Sequence, residues 1–268
     1  MIKAGVIGHP IAHSLSPRIH NQWFDDVGIE GAYQAIDAAP QAFEAAVHGL
    51  VEEAWAGLNV TIPHKRSALE LASERSPAAE AVGAANLLTF ADGEIFADNS
   101  DVFGFEMSLD HIGVTRSVGH AVVLGAGGAS AAVLYALRDS DRVTLLNRTR
   151  ERADALATRF PQIEVRDWDE RNALVAEAPD LLVNTTSLGM AGQPSLELDF
   201  AGPVPKAAVD IVYGKEQTPF LAMAEAGGVE KLTDGLAMLV FQAAPSFEAW
   251  TGCFPDADRT LSELRATL

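Results

Sequence analysis

Short apolar, β-branched runs alternate along this chain with longer Ala-rich stretches whose apolar positions recur at helical spacing. Apolar runs bounded by turn residues predict buried strands, and their alternation with helices is the pattern of βαβ units around a mainly parallel sheet. On that basis strands are predicted over residues 3–7, 32–36, 58–62, 86–90, 121–124, 143–146, 181–184 and 208–212. Helices are predicted over 17–27, 41–50, 65–73, 105–111, 129–138, 150–159 and 220–226, with a final pair from residue 235 onward.

Residues 117–120 separate two halves. After them, Ala121-Val-Val-Leu-Gly-Ala-Gly-Gly-Ala-Ser130 reads as a buried strand, a glycine turn and a helix start, the opening of a dinucleotide-binding fold. Glycine lets the backbone turn sharply and approach a pyrophosphate, whose charge then lies at the helix N-terminus. The third position of the G-x-G-x-x-G pattern is Ser130, small but not glycine. Where an NAD-binding fold carries an acidic residue for the ribose 2′-hydroxyl, this chain has Asn147-Arg-Thr-Arg-Glu-Arg152. A carboxylate there repels a 2′-phosphate, whereas the planar guanidinium groups of Arg148 and Arg152 attract one. The expected cofactor is NADP.

Composition narrows the function further. Hydrophobic residues make up 48% of the 268 and charged residues 21%, as in a globular protein. No run approaches the roughly 20 apolar residues of a membrane span, and no leader pattern precedes the first strand. Cys253 stands alone, which leaves no intrachain disulfide or cysteine-cluster metal site. His9, His13 and His20 lack the spacing and carboxylate partner of a metal site, so no metal is expected. The net charge of −18 argues against nucleic acid and predicts that anionic ligands are met by locally placed donors and cations. A cytoplasmic location is the expectation.

Four polar clusters in the first half lie at predicted strand ends, where α/β proteins bind ligands: 8–17, 59–65, 83–86 and 98–101. Taken singly, each has a bland explanation. Ser16 before Pro17 reads as a helix cap, Asn99-Ser-Asp101 as turn chemistry, and Lys65 as a lysine in a first helical turn.

Taken together, they give the chain a resemblance to the shikimate dehydrogenase family, running from Gly8 to Gly252. The matching segments are Pro10-Ile-Ala-His-Ser-Leu-Ser-Pro17, Asn59-Val-Thr-Ile-Pro-His-Lys65, Asp98-Asn-Ser-Asp101, Gly125-Ala-Gly-Gly-Ala-Ser130, Asn147-Arg-Thr149, Asn184-Thr-Thr-Ser-Leu-Gly-Met190, Asp210-Ile-Val-Tyr213 and Asp234-Gly-Leu-Ala-Met-Leu-Val-Phe-Gln-Ala-Ala244. Ser100, Leu87 and Thr185 depart from the residues usual in these motifs. The resemblance implies an N-terminal α/β catalytic domain over 1–103, a Rossmann-like NADP-binding domain over 104–235, and a helical segment over 236–268 that returns to the first. The implied activity is the NADP-dependent, reversible reduction of 3-dehydroshikimate to shikimate, on the route to chorismate and the aromatic amino acids.

The resemblance also implies roles. Ser14 and Ser16, with Tyr213, would bind the substrate carboxylate. Asn59, Thr61, Asn86 and Gln242 would read ring hydroxyls, and Lys65 with Asp101 would move the proton. The cofactor would lie against Gly125, Ala126, Gly127, Gly128 and Ala129, with its 2′-phosphate end at Asn147, Arg148, Thr149 and Arg152. Its nicotinamide end would meet Ile211, Gly235 and Met238. The partners implied are these two small molecules alone, in a monomer or homodimer. A quinate/shikimate enzyme using NAD or both cofactors, an amino-analogue dehydrogenase, and a non-catalytic metabolite sensor are the competing readings.

Overall fold

A computed structural model describes residues 1–190 and 192–268. The chain divides into two compact units: Met1–Phe103 with Val240–Thr260, and Gly104–Leu239 with Leu261–Leu268.

The first unit holds β1 (Ile2–Gly8), α1 (Ser16–Val27), β2 (Gly31–Asp37), α2 (Phe43–Glu52), β3 (Gly57–Val60), α3 (Lys65–Leu71), β4 (Glu74–Arg75), α4 (Pro77–Val82), β5 (Leu87–Ala91) and β6 (Glu94–Asp98). Its six-stranded sheet has the order β2-β1-β3-β5-β6-β4. Strands β2, β1 and β3 are parallel, as the βαβ pattern predicts, but β5 runs antiparallel to both β3 and β6. With β4 parallel to β6, five of the six strands run one way, so the sheet is mainly parallel as expected and β5 is its single reversed strand. The cause is local: Asp92-Gly93, both at positive φ, closes a two-residue hairpin between β5 and β6. Leu58, Val60, Leu88, Ile95 and Val47 fill the core on one side of this sheet.

The second unit holds α5 (Ser100–His111, most of it), β7 (His120–Leu124), α6 (Ser130–Ala136), β8 (Arg142–Leu146), α7 (Arg150–Ala157), β9 (Ile163–Arg166), α8 (Arg171–Ala176), β10 (Leu181–Asn184), β11 (Ala207–Asp210), α9 (Pro219–Ala226) and β12 (Lys231–Thr233). Its sheet, in the order β12-β11-β10-β7-β8-β9, is parallel throughout. The central strands β7, β10 and β11 are buried along nearly their whole length, which is why they read as unbroken apolar runs.

The long helix α10 (Gly235–Thr251) begins in the second unit and contributes Val240 onward to the first. There Trp250 Nε1 donates to the Leu88 carbonyl at 3.2 Å. The last helix, α11 (Ala257–Thr267), does not stay with the first unit as the sequence suggested for 236–268: residues 261–268 group with the second. Arg265 on this helix pairs with the buried carboxylate of Asp234 just before α10, which holds it there.

Candidate active site

Three strand ends assemble the polar cluster of the first unit. Asn59 near the end of β3 stands opposite Leu87 at the start of β5, and Leu87 opposite Asp98 at the end of β6. The Lys65 carbonyl accepts from the Ala85 amide at 2.8 Å, and the Asn86 amide donates to the Asp98 carbonyl at 3.1 Å. Residues 59–65, 85–86 and 98–101, distant in sequence, are thereby tied together.

Lys65 opens α3 and Asp101 lies in the first turn of α5. The Lys65 ammonium is 2.5 Å from Asp101 Oδ2, with the two side chains 22% and 11% exposed. Asn86 Nδ2 donates to the other carboxylate oxygen at 2.9 Å and to Gln242 Oε1 at 3.3 Å. Asn86 Oδ1 accepts from the Ser100 amide at 2.7 Å and from its hydroxyl at 3.2 Å. Ser100 also lies 3.3 Å from Gln242 Oε1, so the serine in this motif still serves as a hydroxyl donor. Both oxygens of Asp101 are occupied, one by a cation and one by an amide, which fixes the carboxylate plane. Thr61 is half-buried, and its hydroxyl has no partner among the described residues.

Ser16 is buried, but it does not cap α1. That helix starts at Ser16 with Leu15 in the cap position, and no side chain caps it. Instead the Ser16 amide donates to Ser14 Oγ at 3.3 Å, and the Ser16 hydroxyl interacts with the Tyr33 phenol. The Ser-Pro capping signature is realised elsewhere, at Ser76 before Pro77, where the hydroxyl accepts from the Ala79 amide at 3.0 Å.

Two residues at this cluster, Tyr33 and Ser246, carried no sequence signal. The Tyr33 hydroxyl donates to Asn59 Oδ1 at 2.7 Å, and Asn59 Nδ2 donates to Ser246 Oγ at 2.8 Å. The His64 ring is buried, stacked on Phe43 and bonded to the Ala38 carbonyl. The three histidines weighed as metal ligands go to separate places. His9 pairs with Asp37 at 2.6 Å, and this bond holds the Asp37 carboxyl below the usual range. His13 is exposed. His20 is fully buried and neither ring nitrogen finds a hydrogen-bond partner. Burial lowers its pKa to about 3, an effect the nearby Asn59 side chain offsets only in part.

The second unit presents its glycine turn at the C-terminal end of β7. Gly125 has φ +110°, and a Cβ there would stand 2.7 Å from Thr185 Oγ1, so only glycine fits. Ser130 takes the place of the third glycine by use of its hydroxyl: Oγ accepts from the Gly127 amide and bonds Thr185, each at 2.8 Å. The Ala126 amide donates to Asn147 Oδ1 at 3.0 Å, which joins the glycine turn to the end of β8. Gly127 and Gly128 are exposed, with Ala126 and Ala129 half-buried beside them.

The arginine run divides cleanly. Arg150 is occupied by Asp154 and Asp167. Arg148 and Arg152 are exposed and have no side-chain partner among the described residues. Two unpaired guanidiniums in a chain of net charge −18, with the exposed hydroxyl of Thr149 between them, suit a phosphate monoester. An open glycine turn and this cationic end form a donor set that fits a nucleotide bearing an extra phosphate.

At the far end of the same sheet edge, Gly235 lies against β11's exit: a Cβ there would meet the Ile211 carbonyl oxygen at 2.0 Å. Ile211 and Met238 are half-buried, and Tyr213 is exposed. Asp210 knots these loops. Its Oδ2 accepts from the Thr218 hydroxyl at 2.6 Å, and its Oδ1 accepts from Asn184 Nδ2 at 2.9 Å and the Val212 amide at 3.1 Å. Burial is the chief cause that raises its pKa to about 6.

Residues 6–88 match the shikimate dehydrogenase substrate binding domain, and residues 111–191 match the shikimate / quinate 5-dehydrogenase domain. The chain is 47% identical over 260 residues to the NADP(+) shikimate dehydrogenase of Acidiphilium cryptum, covering 96% of this chain and 93% of that one. Among solved structures it is similar to shikimate 5-dehydrogenase from Thermus thermophilus in complex with NADP(H) and shikimate, with a TM-score of 0.89, 36% identity and full coverage of both chains. It is also similar to the Listeria monocytogenes enzyme in complex with shikimate and NAD, with a TM-score of 0.91 and 27% identity over 98% of this chain and 96% of that one.

Proposed function

The chain belongs to the shikimate dehydrogenase family, and from that premise we propose that it reversibly reduces 3-dehydroshikimate to shikimate with NADP(H), using Lys65 and Asp101 as the proton-transfer pair. The observation that carries this reading is the Lys65–Asp101 contact, held on its far side by Asn86 and set among hydroxyl and amide groups that suit a polyol.

When bound, NADP(H) supplies or receives the hydride. The protein's task is then orientation and proton movement at the reacting oxygen. In reduction, the Lys65 ammonium gives a proton to the oxygen that becomes the hydroxyl; in oxidation it takes that proton back. Asp101 offsets the ammonium charge and aims Nζ. Ser14 and Ser16 hold the carboxylate, while Asn59, Thr61, Asn86 and Gln242 address the ring. Neutral hydroxyls suit this anion because they need no further buried charge. Gly125 to Ala129 would face the pyrophosphate, with Asn147 holding their turn in place, and Arg148, Thr149 and Arg152 would receive the 2′-phosphate. Ile211, Gly235 and Met238 would border the nicotinamide.

The reaction involves two small molecules and calls for no nucleic-acid or membrane partner. Among the described residues, no helix is long and apolar enough to cross a membrane. A single exposed cysteine accords with a cytoplasmic setting.

The second reading, quinate oxidation or use of NAD, is favoured by the family domain shared with quinate dehydrogenases. Values of kcat/KM for shikimate and quinate, each with NADP and NAD, separate the two. Turnover confined to shikimate with NADP supports the first reading; comparable quinate or NAD rates move the protein to the second.

A further inference from the structure

Asn59 is 5% exposed, and both protons of its amide are already committed. Nδ2 donates to the Asn86 carbonyl at 3.1 Å and to Ser246 Oγ at 2.8 Å, while Oδ1 accepts from the Tyr33 hydroxyl at 2.7 Å. The Asn86 carbonyl settles the orientation of the amide, because flipping it would set oxygen against oxygen. A carboxamide has two donor hydrogens and two acceptor lone pairs. What Asn59 has left is one lone pair on Oδ1, beside a His20 ring whose nitrogens reach no hydrogen-bond partner, so toward a ligand it can accept a hydrogen bond but not donate one.

We propose that Tyr33 and Ser246 are positioning residues that hold Asn59 in this acceptor-only state, so that the site selects a substrate with a hydroxyl donor at the ring position facing Asn59. The inference rests on the assignment of Asn59 to the substrate ring made above.

Both residues are built for this task. Tyr33 is 3% exposed, and burial raises its phenol well above the ordinary value, which keeps the proton on the oxygen. Its ring lies flat on His20, with centroids 4.1 Å apart and an interplanar angle of 1°, which fixes the direction of the hydroxyl. The same phenol meets the Ser16 hydroxyl, so it stands between the group assigned to the carboxylate and the group assigned to the ring. Ser246 is fully buried on α10, four residues from Gln242. One helix thus carries a residue that reads the ring and a residue that sets how Asn59 reads it.

The test uses shikimate and two analogues, each with one of the two non-reacting ring hydroxyls replaced by fluorine. Fluorine fills similar space but cannot donate. With the wild-type protein, kcat/KM for one analogue should fall by about 100-fold relative to shikimate, the scale expected when a buried acceptor loses its donor. Ser246→Ala removes one of the two side chains that hold the Asn59 amide and, by loosening its fixed acceptor geometry, should shrink that factor to about 10, leaving the factor for the other analogue unchanged. Tyr33→Phe keeps the ring stack and removes the donor; it should raise KM for shikimate about 10-fold while KM for NADP holds. Discrimination and KM values that match wild type in both variants overturn the proposal. If one variant fails to fold, as read from its melting curve, the other decides. A wild-type protein that does not oxidise shikimate with NADP overturns the functional reading itself, which separates that failure from this one.

Discussion

Asp101 binds Lys65 with one carboxylate oxygen and Asn86 with the other, at 2.5 and 2.9 Å. The pair is therefore anchored from one side, and the ammonium keeps two further protons free to point elsewhere. An ordinary helix-surface ion pair has neither the burial nor the third partner. The Arg66–Glu70 pair one residue along α3 shows the contrast, with both side chains more than half exposed.

Asp101→Asn keeps the shape of the side chain and removes its charge. It is expected to lower kcat by about 10- to 100-fold, with KM for NADP little changed, because Lys65 loses the group that aims it. Steady-state kinetics with each substrate varied in turn checks this, and a fall confined to NADP affinity would contradict the assignment.

Arg148→Ala is expected to raise KM for NADP by roughly 10- to 100-fold and KM for NAD by less than about 3-fold, the loss of one charge-assisted phosphate contact. Arg150→Ala serves as the comparison: its guanidinium is already taken by Asp154 and Asp167, so it should leave the NADP-to-NAD ratio near wild type. Equal effects of Arg148→Ala on both cofactors would remove the 2′-phosphate role.

His20 gives stability a sign with pH. Its pKa is about 3 in the folded protein and about 6.5 when unfolded, so the unfolded chain takes up a proton first. Stability from this group is full above pH 6.5 and falls by about 1.4 kcal/mol per pH unit below it, down to about pH 3. His20→Phe keeps a ring beneath Tyr33 and should flatten the acid limb of urea-unfolding curves between pH 6.5 and 4. Parallel curves for the two proteins would contradict the burial account.

Asp210 works in the opposite direction. Its folded pKa of about 6 lies above its ordinary value, so the stability it contributes is full below about pH 4 and is lost as pH rises through 6. Asp210→Asn should therefore gain on the wild type as pH rises from 4 to 7. Urea midpoints of the two proteins across that range test this, and a constant difference would contradict it.

Much of this was legible in the pattern of the chain, for reasons that differ by element. The runs that became β7, β8, β10 and β11 are buried on both faces, so their apolar letters are continuous. By contrast, β6 has exposed and buried residues in alternation, and β4 spans two exposed residues. The Asp92-Gly93 turn was the available signal for β6, and Ser76-Pro77 was the signal for α4. In the site, Lys65, Asn86, Asp101 and Gln242 were legible only through the order and spacing of their motifs together, since each alone has an ordinary local explanation. Tyr33 and Ser246 do not stand out: a tyrosine in a strand and a serine in a helix are ordinary, and only tertiary contact with Asn59 gives them meaning. The bend of α11 back to Asp234 was equally hidden, since one ion pair across 31 residues leaves no periodic trace.

The most direct test of the Lys65–Asp101 assignment is the rate of NADPH formation from shikimate at saturating substrate and cofactor, for the wild-type protein beside Lys65→Ala. The account predicts ready turnover by the wild type and a kcat lower by about 10²- to 10⁴-fold in the variant, with KM values changed far less. A Lys65→Ala variant with near-normal kcat would contradict it.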